Sequence, residues 1–285
     1  MPPPMKVVRS VGAMTRLAAA WPNRVVLVPT MGALHAGHLS LVDRARRDAG
    51  RDGMVIVSIF VNPLQFGPKE DLSRYPRPLR RDLALCRERG VDLVFHPDAA
   101  GMYAPGRSVT VDESLLTGGL CGRSRPGHFS GVCTVVAKLF NLVRPHAAVF
   151  GQKDYQQLAI IRRMVRDLNF PLEIIGGETV REPDGLALSS RNVYLTSDER
   201  AQAPTLRRAL LLAGKRVRAG ERDAGALRAV IETELATAPL GRVDYAEIVD
   251  ADDLQPVARL THRAVLAVAV FFGRTRLIDN IVVSP

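Results

Sequence analysis

The 285-residue sequence predicts an α/β protein with a doubly wound parallel sheet and a smaller second domain. Two observations support this prediction. Short, β-branched apolar runs alternate with segments of helical periodicity through the first two-thirds of the chain, and polar motifs directly follow several of those runs. Such alternation is typical of parallel sheets, whose ligands bind at the carboxyl ends of the strands.

The strands of this region are predicted from short apolar runs. The helices are predicted from apolar residues at helical spacing, as at Leu39, Leu41, Val42 and Ala45. The predicted elements are strand 25–28, helix 39–49, strand 54–61, helix 79–89, strand 91–95, a glycine-rich loop at 118–131, helix 132–143, strand 147–150, helix 155–168 and strand 172–176.

After Asn192 the pattern changes to two helices followed by three strands. Thr196 or Ser197 is expected to cap the first helix, because a hydroxyl there can accept from a backbone N–H of the first turn. The predicted elements are a long helix to about residue 220, helix 224–236 and strands 243–249, 264–272 and 277–283. We therefore expect a larger domain at residues 1–182 and a smaller α+β domain at residues 183–285.

Composition limits the class of protein. The chain is 47% hydrophobic and 24% charged, and it contains no apolar run near the roughly 18–20 residues that a membrane-spanning helix needs. The N-terminal residues lack the apolar core of a signal peptide, and Cys86, Cys121 and Cys133 are odd in number and far apart. These features predict a cytoplasmic protein with reduced thiols and no membrane partner.

The formal net charge of +10 raises the alternative of a nucleic-acid-binding protein. The basic residues are scattered over separate helical segments among acidic ones, and aromatic residues make up only 5% of the chain, so stacking platforms are few. We therefore expect no specific nucleic-acid partner. A small polyanionic substrate would also be attracted by this charge.

The most specific motif is His35-Ala36-Gly37-His38, which lies where the first predicted strand ends and a helix begins. The first turn of a helix presents backbone N–H groups and the positive end of the helix dipole, which suits a phosphate. Two imidazoles three residues apart add donors for the same anion. The alternative, a pair of ordinary surface histidines, is disfavoured by this arrangement.

Polar side chains also follow later strands. Asn62 and Gln65 suit a hydroxyl or carboxylate ligand, although Asn62 before a proline equally fits a turn cap. Arg123 and Arg125 precede residues 127–131. We expect that segment to be either a loop that closes over a ligand, with arginine opposing phosphate charge, or a surface turn.

Two further motifs favour a nucleotide. After the strand at 147–150, Lys153 can neutralise a phosphate and Asp154 can act through a metal or a ribose, with Gln157 one turn onward. In residues 188–192, two hydroxyls and a guanidinium on a short loop can hold a triphosphate. The second motif is weak alone, but it supports the histidine motif.

A histidine motif of this kind with a later basic, hydroxyl-rich loop is the hallmark of the nucleotidylyltransferase superfamily. Within it, the chain resembles the pantoate–β-alanine ligase family, in five segments that keep the family's order. The segments are 29–38, 60–66, 125–129, 151–157 and 188–192, and residues 276–281 are similar too. The resemblance implies a Rossmann-like first domain, a second domain that closes over the nucleotide, and a homodimer.

The resemblance also implies a two-step reaction of ATP, pantoate and β-alanine. The pantoate carboxylate attacks the α-phosphate of Mg-ATP, which releases pyrophosphate and forms pantoyl adenylate. The β-alanine amine then displaces AMP to give pantothenate. Catalysis here consists of orienting anions and stabilising charge on the phosphate. The nearest alternative is a nicotinate-mononucleotide or coenzyme A-pathway adenylyltransferase, which transfers AMP to a phosphate.

Residue roles follow from the same resemblance. The implied ATP site comprises Met31, Gly32, Ala33, Leu34, His35, Ala36, Gly37, His38, Gly151, Gln152, Lys153, Asp154, Val180, Leu188, Ser189, Ser190 and Arg191. The implied catalytic residues are His35, His38, Lys153, Ser189, Ser190 and Arg191, with His38 as the acid. Gln65 and Gln157 are implied to hold pantoate, with Gln65 also near β-alanine and Asn62 nearby.

One departure concerns Mg²⁺. Relatives often carry two adjacent acidic residues where this chain has Arg81 and Asp82. Asp82 therefore remains as the candidate metal ligand, directly or through water. The alternative is that ATP itself holds most of the Mg²⁺ coordination.

Overall fold

The computed structural model describes residues 4–68, 70 and 72–285, and the chain divides into two compact units. Unit 1 contains the residues up to Glu113 together with Arg125–Gln152 and Gln157–Glu178. Unit 2 contains Ser114–Ser124, Lys153–Gln156 and Thr179–Pro285. The main boundary after Glu178 lies near the expected one after residue 182, but two short segments expected in the first domain group with unit 2.

Gln156 explains why these two segments group together. Its buried side chain donates from Nε2 to the carbonyls of Leu116 (2.8 Å) and Gly119 (2.9 Å), and its Oε1 accepts from the N–H of Cys121 (2.9 Å). The sequence offers no local signal for these bonds. The Tyr155 hydroxyl donates to the Ala251 carbonyl (3.0 Å) and joins this segment to the rest of unit 2, so Lys153 belongs to unit 2 and not to unit 1.

Unit 1 is built on a six-stranded parallel sheet. Its strands are β1 (Lys6–Val8), β2 (Val25–Thr30), β3 (Met54–Ile59), β4 (Leu93–Phe95), β5 (Ala147–Gly151) and β6 (Glu173–Gly177). They lie in the order β1-β4-β3-β2-β5-β6, and all neighbours run parallel. This order confirms the predicted doubly wound sheet. Along the chain, β3 and β4 are added on one side of β2, and β5 and β6 are added on its other side. Sheets of this kind bind ligands where the order of addition switches, which here is between β2 and β5.

Helices follow most of the strands. They are α1 (Val11–Ala18), α2 (Ala36–Ala49), α3 (Leu79–Glu88), α4 (Ala99–Met102), α5 (Leu120–Ser124), α6 (His128–Val143), α7 (Tyr155–Asp167), α8 (Ser197–Gln202), α9 (Thr205–Arg218) and α10 (Ala224–Leu235). Because β2 and β3 are covered on both faces, their side chains are almost all buried, which accounts for their continuous apolar runs.

The first strand and helix of the chain were not predicted. β1 has only three residues, too few to show a period, and it lies at the edge of the sheet. The start of α1 did carry a signal, because the Ser10 hydroxyl accepts from the Ala13 N–H (3.2 Å) as a helix cap.

The predicted loop at 118–131 is wrong in two places. Residues Leu120–Ser124 form α5, and α6 begins at His128 instead of 132. Gly127 precedes α6 with a left-handed φ of 79°. Gly131 lies inside the helix because of a close approach, since a Cβ there would be 2.3 Å from the Leu64 carbonyl oxygen. Here glycine marks tight packing instead of a loop.

Unit 2 contains a three-stranded antiparallel sheet of β7 (Gly241–Asp250), β8 (Ala264–Phe272) and β9 (Thr275–Val283), with β8 in the centre. α9 and α10 pack against one face through a core that includes Leu210, Leu227 and Leu266. The predicted α+β composition is therefore correct. The single long helix expected from 197 is instead α8 and α9, separated at Pro204, where proline cannot continue the hydrogen-bond ladder.

Cys86, Cys121 and Cys133 are buried, and none of them forms a disulfide. Burial raises the pKa of Cys86 and of Cys133 to about 12, so both thiols stay protonated at neutral pH. Among the described residues, no helix combines the length and the apolar character of a membrane span.

Candidate active site

The histidine motif forms the junction between β2 and α2, as predicted. His35 is the N-cap of α2, and its Nδ1 accepts from the Gly37 N–H (3.1 Å). The His35 N–H in turn donates to Nδ1 of His38 (3.4 Å), and the ring centroids are 4.1 Å apart. Because both Nδ1 atoms act as acceptors, each neutral ring carries its proton on Nε2. The motif therefore presents two ring N–H donors at the positive end of a helix.

Asp82 holds the turn that leads to these histidines. It lies in the first turn of α3 and is only 1% exposed. Its Oδ2 accepts from the Ala33 N–H (2.8 Å) and its Oδ1 from the Leu34 N–H (2.9 Å). Gly32 and Ala33 have left-handed φ angles of 84° and 51°. The strain at Ala33 costs roughly 1–2 kcal/mol, and two hydrogen bonds to a carboxylate, worth about 1.5–3 kcal/mol each, offset it.

The substrate residues expected after β3 lie on a short 3₁₀ turn, Pro63–Gln65. Gln65 accepts through Oε1 from Asn62 Nδ2 (3.1 Å) and donates from Nε2 to the sulfur of Met31 (3.1 Å). These two contacts fix the orientation of the Gln65 amide. The structure therefore brings together Met31, Asn62 and Gln65, which the resemblance assigns to two different ligands.

Asn62 itself is the cap of that turn, which was the alternative considered for it. Its Oδ1 accepts from the Leu64 N–H (3.2 Å) and the Tyr103 hydroxyl (2.7 Å), and its Nδ2 donates to Gln65 and to the Gly131 carbonyl (3.0 Å). The side chain is 1% exposed and uses both donors and both acceptor sites. Asn62 therefore orients Gln65.

Arg125, expected either to oppose phosphate charge or to lie on a surface turn, is paired with other side chains of unit 1. Its Nε and Nη2 donate to the two carboxylate oxygens of Glu70 (2.7 Å each), and its Nη1 donates to Nε2 of His128 (2.9 Å). His128 Nδ1 donates to the Gln65 carbonyl (2.8 Å), since a carbonyl only accepts. Burial raises the pKa of Glu70, but the hydrogen bonds and charge of Arg125 outweigh it and leave that pKa below its usual value. Arg123, in unit 2, is paired with Glu247.

The motif after β5 begins at Gly151, the last residue of that strand, and continues as a 3₁₀ turn, Gln152–Asp154, into α7. β5 is the immediate neighbour of β2, so Gly151 and Gln152 leave the sheet at the edge where the histidine turn leaves it. Gln157 is half-buried near the start of α7.

In unit 2, Val180 and Leu188 face each other across a narrow hairpin, in which the Leu188 N–H donates to the Val180 carbonyl (3.0 Å). The following turn is closed by Ser189, whose hydroxyl accepts from the Arg191 N–H (3.2 Å). Asn192 ties this turn to the hairpin by donating from Nδ2 to the Ala187 carbonyl (3.2 Å). The hydroxyl-rich motif is thus a defined loop supported by its own hairpin.

Comparison with known proteins identifies the family of the chain. The family model for pantoate–β-alanine ligase matches residues 6–282. Pantothenate synthetase of Akkermansia muciniphila is 56% identical over 259 residues, which cover 91% of this chain and 92% of the relative.

Two solved structures extend this similarity to the fold. The crystal structure of pantothenate synthetase from Thermus thermophilus has a TM-score of 0.92 at 50% identity and covers 99% of this chain and 100% of that one. The structure of pantoate–β-alanine ligase from Francisella tularensis complexed with β-γ ATP and β-alanine has a TM-score of 0.78 at 33% identity, with 98% and 97% covered. With a family model that spans nearly the whole sequence and relatives that match it over nearly their full length, the chain belongs to the pantoate–β-alanine ligase family.

Proposed function

We propose that the chain performs the reaction that names its family, the ATP-dependent ligation of pantoate and β-alanine to pantothenate. The observation that carries this proposal is the geometry at the end of β2. Two imidazole Nε2–H donors lie at the start of α2, and Met31 of the same turn contacts the fixed amide of Gln65. A phosphate-binding turn and a polar subsite for a small acid are thus linked directly within unit 1.

In the first step, His35 and His38 donate hydrogen bonds to phosphate oxygens of ATP. A pantoate carboxylate oxygen attacks the α-phosphorus, and the bond from that phosphorus to the bridging oxygen of pyrophosphate breaks. Charge moves onto the departing pyrophosphate, where ring N–H donors and the α2 terminus stabilise it. His38, to which the resemblance gives the acid role, acts on this leaving group by donating its Nε2–H hydrogen bond without transferring the proton.

In the second step, the neutral β-alanine amine attacks the acyl carbon of pantoyl adenylate. The bond from that carbon to the AMP oxygen breaks, AMP departs, and the nitrogen loses one proton to water as the amide forms. Gln65 and Gln157 hold pantoate through both steps, with Gln65 also near the amine. Uncharged amides suit this task, because they bind hydroxyl and carboxylate oxygens without neutralising the nucleophile. Asn62 acts on the substrate through Gln65.

The remaining nucleotide contacts are assigned as the resemblance implies. Lys153 and Arg191 supply positive charge, and Ser189 and Ser190 supply hydroxyl donors. The other proposed ATP residues are Met31, Gly32, Ala33, Leu34, Ala36, Gly37, Gly151, Gln152, Asp154, Val180 and Leu188.

We infer that Asp82 is not the main holder of Mg²⁺. Both carboxylate oxygens of Asp82 already accept backbone N–H groups. Across residues 4–68, 70 and 72–285, no group of three or more His, Cys, Asp or Glu side chains is arranged to hold a metal ion. We therefore treat Mg²⁺ as a companion of ATP and give Asp82 the task of holding the histidine turn.

The homodimer implied by the family and the cytoplasmic location implied by composition are also part of the proposal. Analytical ultracentrifugation of the purified chain tests the first, because a dimer sediments with twice the mass of the 31.1 kDa chain.

The reaction itself is tested by incubating the protein with Mg-ATP, pantoate and β-alanine. We expect equal amounts of AMP and pantothenate, and pyrophosphate release that requires pantoate. An adenylyltransferase of the alternative kind would release pyrophosphate with a phosphate acceptor and without pantoate. That result would contradict the proposal.

His38→Ala should lower the rate of pantoyl-adenylate formation by on the order of 10²-fold or more, the usual loss when a donor to a developing charge is removed. His35→Ala should behave similarly. Single-turnover release of pyrophosphate measures this step. His262→Ala, which changes an exposed histidine of unit 2, is the matched control. Wild-type adenylation by a variant that lacks both imidazoles would rule out this mechanism.

Gln65→Ala and Gln157→Ala should weaken pantoate binding by about 1–3 kcal/mol, because each leaves a buried substrate group without a partner. ATP binding without pantoate should change little. Calorimetry with each ligand separates the two effects, and the exposed Gln255→Ala serves as the control. A loss of ATP affinity as large as that of Lys153→Ala would show that the subsites are wrongly assigned.

Asp82→Asn should slow adenylation and accelerate amide exchange at Ala33 and Leu34, because an amide group can accept only one of the two N–H bonds well. The expected loss of stability is about 1–3 kcal/mol. Asp43→Asn, at a partly exposed aspartate paired with Arg89, should change neither quantity. If Asp82→Asn shifted only the Mg²⁺ dependence and left exchange at residues 33–34 unchanged, Asp82 would be a metal ligand after all.

A further inference from the structure

Strand β9 carries two adjacent polar residues, Asp279 and Asn280, to which the proposed reaction gives no role. They lie in segment 276–281. Successive side chains of a strand alternate between its faces. Asp279 is 3% exposed and shares its face with the core residues Leu277 and Val283, whereas Asn280 lies on the opposite face.

Asn280 contacts the backbone of the proposed ATP lysine. Its Nδ2 donates to the carbonyl oxygen of Lys153 at 2.8 Å. Lys153 lies in a single 3₁₀ turn, Gln152–Asp154, where a regular ladder does not hold the chain. A side chain on a paired strand thus fixes the peptide that carries the lysine, and both residues belong to unit 2.

Asp279 contacts the hairpin that carries the other proposed nucleotide residues of unit 2. Its oxygens accept from both terminal nitrogens of Arg181, at 2.7 and 2.9 Å. Arg181 also donates to the Gly185 carbonyl (3.0 Å), so one guanidinium joins the tip of the hairpin to β9. A buried ion pair with this many hydrogen bonds is well compensated and holds a single geometry.

We propose that Asp279 and Asn280 are positioning residues for the nucleotide: β9 holds Lys153 through Asn280 and the 180–188 hairpin through Asp279. The inference rests on the proposed ATP role of Lys153 and of Val180 and Leu188. Charge-assisted contacts to a triphosphate need side chains held to within a fraction of an ångström. A strand such as β9, which is paired with β8 along its whole length, supplies such a frame, and two short loops alone do not.

Asn280→Leu tests the first contact, because leucine has a similar size and lacks the amide donor. We expect the KM for ATP to rise about 3–10-fold, the range for one lost hydrogen bond, with the KM for pantoate unchanged. Val282→Leu is the matched control, since Val282 lies two residues onward on the same face and is 41% exposed. Equal ATP KM values for the two variants would overturn the role of Asn280.

A double-mutant cycle separates positioning from general structural damage. If Asn280 acts through Lys153, Asn280→Leu should lose most of its effect on ATP in a Lys153→Ala background. An undiminished effect there would overturn the inference. An unchanged ATP affinity in Lys153→Ala alone would instead show that the proposed role of Lys153 is wrong, so the two failures are distinguishable.

Asp279→Asn tests the second contact by removing the charge while keeping the shape. Amide exchange at residues 180–188 should accelerate by on the order of tenfold or more, because a hydrogen bond to a charged group is lost. Exchange in the centre of β8 should stay unchanged, which controls for global unfolding. Unchanged exchange in the hairpin would overturn the role of Asp279.

Discussion

The chemistry of unit 1 depends on one constraint, the position of β2 between β3 and β5 in a parallel sheet. Parallel strands all end at the same edge, so the turns that follow these three strands emerge side by side. The apolar side chains of β2 are buried, which fixes this strand in the middle of the sheet. The histidine turn, the Asn62–Gln65 turn and Gly151 owe their common location to that burial.

In unit 1, the side chains that are proposed to contact ligands are held in place by side chains that do not contact them. Asp82 holds the turn before His35, and Asn62 orients the amide of Gln65. His128 and Arg125 fix the Gln65 backbone, with Glu70 keeping the guanidinium in place. Each support removes freedom before substrates arrive, so less ordering entropy is lost when two anions must be aligned.

In unit 2 as well, the residues proposed to contact the nucleotide are held by residues that are not proposed to contact it. Lys153 and the 180–188 hairpin lie outside regular structure, but both are attached to β9, which is part of a sheet with a complete apolar core on one face. The sheet is therefore a frame for polar segments as well as a folding unit. This use explains why a strand in a small C-terminal domain carries an aspartate that is almost fully buried.

Local sequence signals were sufficient for the type and order of most elements. The apolar runs of β2, β3 and β5 and the helical spacing after His38 depend only on neighbours along the chain, which is the range over which hydrophobic periodicity acts. They also placed the histidine motif at the end of a strand. Where glycine was read as loop, as at Gly131, the prediction failed, because the close contact with Leu64 involves a distant part of the chain.

The sequence by itself determined the parallel architecture, the family and the residues that meet ATP and pantoate in the proposal. Only the tertiary structure decided what holds them. Asp82, a candidate metal ligand in the sequence, supports a strained turn, and Arg125, for which the sequence left a ligand-facing loop or a surface turn open, pairs with Glu70. Asn280 acquired a contact with Lys153, 127 positions away. A charged or amide side chain can bond equally well to many partners, so its role is set by which backbone the fold brings within about 3 Å of it.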